Sequence, residues 1–179
     1  IFKPKGLEKF FTKSENEGTI NIVYTDGGCY GNGKLVSYGG SGVYFGKDDS
    51  RNCAFPIIGH STNNIAELSA ILKVFEILDN KINNGENVLI ITDSDYSIKC
   101  FTTYGDKCNA NFWSKDIPNK ELVKRGYLYV KKYSNIKFKH VHSHTGKQDE
   151  YSLGNECADK LATEGVIKSI RKTINIGKT

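Results

Sequence analysis

The chain contains no methionine, only three prolines and a single tryptophan in 179 residues. Methionine is missing even at position 1, so the sequence reads as a fragment or trimmed piece of a longer protein, which leaves open the loss of targeting segments. No apolar run reaches the roughly 18 residues that a membrane-spanning helix requires. The five cysteines, Cys29, Cys53, Cys100, Cys108 and Cys157, are odd in number and include no CxxC pair. That argues against a zinc cluster and a disulfide framework, and for an intracellular, reducing compartment. Internal repeats and low-complexity segments are also missing. The length suits one domain with a sizeable core, and the 38% apolar content is ordinary for a globular protein. The net charge is only +5, but it is uneven. Lys120–Lys139 holds seven basic residues against one acid, Glu121, which is compatible either with a polyanionic partner or with a solvated helix face.

The stretch Asn21–Asn32 (NIVYTDGGCYGN) organises the rest. Ile20, Ile22, Val23 and Tyr24 predict a central strand. Asp26 interrupts it and is followed by Gly27 and Gly28. A carboxylate at the end of a buried strand is costly unless it is paired or binds a cation. Alone, Asp26 reads equally well as the cap of a Gly-rich turn. Ser37–Gly46, weakened by glycines, and Asn52–Ile58 read as further strands of an antiparallel meander. Ser61 or Thr62 caps a helix with apolar residues at Ile65, Leu68, Ile71, Leu72, Phe75 and Leu78. Glu67 falls at the edge of that stripe. Val88–Thr92 is a strand buried on both faces. It ends in Asp93-Ser94-Asp95, where Asp93 alone would pass for a helix cap. A short helix begins at Tyr96. Thr102–Asn119 reads as a polar loop, Lys120–Tyr133 as a helix, Ile136–Val141 as a strand and Leu153–Ile167 as the last helix. Residues 1–18 read as a basic tail that docks through Phe10 and Phe11, and residues 171–179 as a C-terminal tail. The domain proper is residues 19–170.

Asp26, Glu67, Asp93 and Asp159 each stand where strand ends and helix starts meet at one edge of an α/β sheet. Four carboxylates in a dry site repel one another, and divalent cations relieve that repulsion. Hard oxygen ligands suit Mg²⁺ or Mn²⁺ better than zinc. Two such ions about 3.5–4 Å apart activate a water and stabilise the leaving oxygen of a phosphodiester. His144, on a Gly-containing loop, is placed to move protons. His140, His142 and His144 also sit at alternate strand positions, an arrangement that would admit zinc.

Four motifs, YTDGG, TNNIAEL, ITDS and VHSHTG…GNECAD, occur in that order between about residues 20 and 167. Together they resemble the type 1 ribonuclease H family. The resemblance implies an α/β, ribonuclease H-like fold: a five-stranded mixed sheet, an antiparallel meander plus parallel strands, flanked by helices. It implies hydrolysis of the RNA strand of RNA–DNA hybrids with two Mg²⁺ ions (Mn²⁺ substituting), leaving 5′-phosphate and 3′-hydroxyl ends. The catalytic, metal-holding acids would be Asp26, Glu67, Asp93 and Asp159. The mobile histidine would be His144, with His142 the alternative. Hybrid contacts would fall on Cys29, Asn32, Asn63, Asn64 and Ser94. A phosphate pocket for the DNA strand would fall on Thr62 and Asn119, with His60 where an arginine is common. Thr102–Asn119, holding Tyr104, Phe112 and Trp113, would replace the Trp- and Lys-rich protrusion that grips DNA, in a shorter and less basic form. The expected protein is a monomeric catalytic domain, with a missing upstream hybrid-binding or polymerase domain as one possibility. A reverse transcriptase nuclease domain, a binding module that has lost catalysis and a DNA resolvase are the rival readings.

Overall fold

The computed structural model describes residues 6–12, 18–143 and 149–176. Five strands form one mixed sheet: β1 (Ile20–Tyr30), β2 (Tyr38–Tyr44), β3 (Cys53–Pro56), β4 (Asn87–Thr92) and β5 (Ile136–His140), in the order β3-β2-β1-β4-β5. β1 pairs antiparallel with β2 and parallel with β4, and β4 pairs parallel with β5. The helices are α1 (Asn63–Asn83), α2 (Asp95–Phe101), α3 (Thr103–Ala110), α4 (Lys120–Lys132) and α5 (Glu150–Ile176). This is the expected mixed sheet flanked by helices.

Every residue of β4 is buried, and its side chains alternate between two cores. Val88 and Ile90 join Val23, Leu68, Phe75, Phe101 and Val123 under α1, α2 and α4. Leu89 and Ile91 join Tyr24 and Ala158 under α5, where Leu7 and Phe11 also dock. Each such aliphatic side chain contributes about 1.5–3 kcal/mol on full burial. The continuous apolar run of β4 follows from coverage on both faces.

The structure departs from the sequence reading in four places. β1 does not stop at Asp26. It continues to Tyr30, because β2 pairs with it from Tyr24↔Tyr44 through Asp26↔Gly42 to Tyr30↔Tyr38. Thr102–Asn119 is no loop throughout, since it contains α3, where Gly105 lies against the Tyr127 ring. α5 starts earlier and runs on to Ile176, so residues 171–176, read as a tail, are helical. Trp113, read as a substrate contact, is buried: its Nε1 donates to Asn109 Oδ1 at 3.3 Å, and its ring meets Tyr127 edge-on. Phe112 and Trp113 both adopt positive φ, 51° and 55°, and this local twist leaves Phe112, 91% exposed, as the outward aromatic.

Candidate active site

Register brings the carboxylates together. The parallel ladder between β1 and β4 ends at the pair Thr25↔Thr92. Asp26, still within β1, and Asp93, the first residue after β4, come next, at the carboxyl edge where open α/β sheets place their ligand sites. The cap of α2 is Ser94, whose hydroxyl accepts from Ser97 N at 3.2 Å. The capping duty considered for Asp93 thus falls to Ser94. Glu67 arrives from α1, whose first turn Thr62 caps by accepting from Ile65 N at 3.2 Å. α1 can come this close because Gly27 carries no side chain: a Cβ there would stand 2.2 Å from the Glu67 backbone nitrogen. As a result, ligand oxygens of Asp26, Glu67 and Asp93 lie within 4.8 Å of one another. Asp159 lines the same cavity as Asp26 and Asp93 but stands outside this tight trio.

Burial and crowding disfavour the charged forms of Asp26 and Glu67. Burial is the main cause that raises the Asp26 pKa to about 8, and Asp93, Asp159 and Glu67 add to it, while a hydrogen bond from Gly27 N at 2.7 Å opposes the rise. Burial, then Asp93, lifts Glu67 to about 7. Hard oxygen donors crowded into a partly dry edge fit a divalent cation of the Mg²⁺ or Mn²⁺ kind. The same shifts set a pH dependence. The folded, metal-free protein holds protons on Asp26 and Glu67 that the unfolded chain has released above about pH 4–5, so stability falls as pH rises from there to about 8. Asp49, lowered to about 2 by its bonds to Arg51, acts below that window. Thermal melts in EDTA should therefore show Tm dropping by several degrees between pH 5 and pH 8. Asp26→Asn should flatten part of that drop. A Tm that climbs across this range would contradict the arrangement.

The remaining expected residues divide into groups. Asn32 Oδ1 accepts from Asn63 N at 3.2 Å, and the Cys29 thiol donates to Ser61 O at 3.3 Å. Both contacts tie the end of β1 and the turn after it to the start of α1, beside exposed Asn64. Ser94 is buried and spent on its cap. His60 Nδ1 lies 3.4 Å from Ser37 Oγ. Asn119, at a φ of 57°, donates through Nδ2 to the Tyr96 hydroxyl at 3.3 Å. His142 lines the carboxylate cavity, whereas His144 lies outside the described residues. His140 is bound otherwise, with its Nε2 3.1 Å from the Asp93 carbonyl oxygen. Among the described residues the trio of acids is the one metal-ligand cluster, and no histidine joins it. Of the basic stretch, Arg125 pairs with Glu76 and Lys131 with Asp106, so part of its charge is already answered. Sequence reasoning missed Asn155, Ser152 and Glu156, which line the cavity beside the acids. Their only signal was their position within the GNECAD motif and just before it.

The RNase H family model matches residues 18–167. The ribonuclease H of Schizosaccharomyces pombe is 36% identical over 170 residues, covering 92% of this chain and 58% of that protein. Human ribonuclease H1 is 31% identical over 155 residues, covering 85% of this chain and 52% of its own length. The chain thus spans little more than half the length of these relatives. Among solved structures, LC9-RNase H1, a type 1 RNase H with the type 2 active-site motif, superposes with a TM-score of 0.67 at 23% identity, over 85% of this chain and 74% of that one.

Proposed function

Because the chain belongs to the RNase H family, we propose that it is a metal-dependent endoribonuclease that hydrolyses the RNA strand of RNA–DNA hybrids, leaving 5′-phosphate and 3′-hydroxyl ends. The observation that carries this reading is the convergence of Asp26, Glu67 and Asp93 within 4.8 Å where the parallel pairing of β1 with β4 ends. These three acids, with Asp159 on the same cavity, would hold two Mg²⁺ ions. When bound, such ions activate water and neutralise charge on the phosphodiester. Asp26 is fixed by Gly27 N and by strand pairing with Gly42 of β2, so its carboxylate needs little reorganisation before it can bind. His142 or His144 would carry protons at the leaving end. The 2′-hydroxyl distinguishes RNA from DNA, and the polar backbone and side chains around Asn32, Asn63 and Asn64 are the groups we assign to read it. Thr62 and Asn119 would receive a phosphate of the DNA strand. Contacts to phosphate and sugar position without specifying sequence, so little base preference is expected.

The test is cleavage of an end-labelled RNA–DNA hybrid beside RNA duplex, DNA duplex and branched DNA, in Mg²⁺, in Mn²⁺ and in EDTA. Cleavage confined to the RNA of the hybrid and lost in EDTA is expected. Cutting of DNA duplex or branched DNA at the same rate would overturn the reading in favour of a DNA nuclease. Hybrid binding without cleavage would make the chain a recognition module.

A further inference from the structure

Asn155 is a group that the chemistry described so far does not use. It lies on α5 one helical turn before Asp159, so the two side chains share a face. It is 4% exposed and lines the carboxylate cavity. Its Nδ2 donates to Asp93 Oδ2 at 3.3 Å. The amide thus turns its NH₂ group, which can only donate, toward Asp93. Oδ1 is then the remaining polar atom of the amide, an acceptor. Oδ1 is fully buried, and among the described residues nothing donates to it. A buried acceptor left unpaired is destabilising, and a residue needed only for packing would be better apolar. An amide cannot exchange a proton at neutral pH, so the role of Asn155 is to orient and to accept.

We propose that Asn155 is a positioning residue for cation binding. Its Nδ2 holds the Asp93 carboxylate, and its Oδ1 accepts a hydrogen bond from the hydration shell of the divalent cation held by the acids. Outer partners of this kind aim a ligand and raise its affinity for metal. The inference rests on the hydrolase reading of the same site, but its test needs no substrate.

Isothermal titration calorimetry with Mn²⁺ on the metal-free full chain, without nucleic acid, compares the wild-type protein with Asn155→Leu and Asn155→Ser. Asn155→Leu keeps the volume and removes both donor and acceptor. The expected result is a Mn²⁺ dissociation constant raised 10–100-fold, with the metal-free Tm equal to or above that of the wild type. Cleavage should recover at high Mn²⁺, and KM for the hybrid should not move. An affinity within about 2-fold of wild type overturns the proposal. So does a lowered metal-free Tm with affinity intact, which would assign Oδ1 to a partner within the protein. Should Asn155→Leu fail to fold, Asn155→Ser is expected to show the same loss of affinity, and unchanged binding there is equally fatal. If the wild type binds Mn²⁺ in this Asn155-dependent way yet leaves hybrids intact, the inference stands and the hydrolase reading falls.

Discussion

Asp93→Asn is expected to lower hybrid cleavage in Mg²⁺ by at least ~10³-fold, on the order of 4 kcal/mol of transition-state stabilisation, while the metal-free protein melts no lower than its parent. Asp93 is the hinge of the trio, since its charge is the largest charged contributor at both Asp26 and Glu67. It is also the acid that Asn155 touches. An amide of the same shape keeps the packing at the end of β4 and removes the negative charge that a hard cation requires. It also removes repulsion from two half-dry neighbours. A relief of ~2 kcal/mol would raise the metal-free Tm by roughly 4–8 °C in a domain of this size. Single-turnover cleavage and melts in EDTA measure the two effects separately. Cleavage at the parent rate with Mg²⁺ present would remove Asp93 from the site.

The second large effect is structural. Gly42→Val is expected to destabilise the domain by about 3–5 kcal/mol, lowering Tm by roughly 6–20 °C. A Cβ at Gly42 would stand 2.2 Å from the Ala158 carbonyl oxygen and 2.5 Å from Ala162 N. One at Gly40 would meet Val166 N at 2.0 Å. These partners are helix backbone, which cannot rotate away as a side chain can, so α5 must lift from the sheet. Gly28→Ala is the control: its nearest neighbour, Val166 Cγ2, lies at an ordinary 3.7 Å, and a change below ~1 kcal/mol is expected. Differential scanning calorimetry of both variants decides the matter. A Gly42→Val melt within about 2 °C of the parent would mean that α5 does not rest on β2 as described.

Much of this was legible before any coordinates, for identifiable reasons. Strands β1 and β4 announce themselves through β-branched runs, and α1 through its helical stripe. Asp26 and Asp93 stand out because acids are out of place after such runs. What stayed hidden depends on contacts between distant segments. The glycines of β2 looked like weakness in a strand, whereas they form the bare track on which α5 lies. The segment Thr103–Ala110 has no apolar period of its own, and its helix is held by Gly105 against Tyr127. Trp113 looked like a substrate contact because its segment stands where the resembled family carries an aromatic and basic protrusion that grips DNA. The left-handed pair Phe112-Trp113 that turns it inward leaves no trace in the residue types. Asn155 escaped because an uncharged amide attracts no notice until its Nδ2 is seen on Asp93 and its Oδ1 buried without a donor among the described residues.

The seat of α5 on β2 bears on the order in which the molecule can be completed during synthesis. Translation delivers the chain amino terminus first, and elements begin to associate as they emerge. Asp26, Glu67 and Asp93 all leave the ribosome well before Asn155 and Asp159. Until α5 follows, the backbone at Gly40 and Gly42 has no helix against it, and three acids face one another without the fourth. The described element that emerges last therefore closes one face of the sheet and finishes the carboxylate set in a single docking event. An unfinished nascent chain is thus never equipped with the whole site.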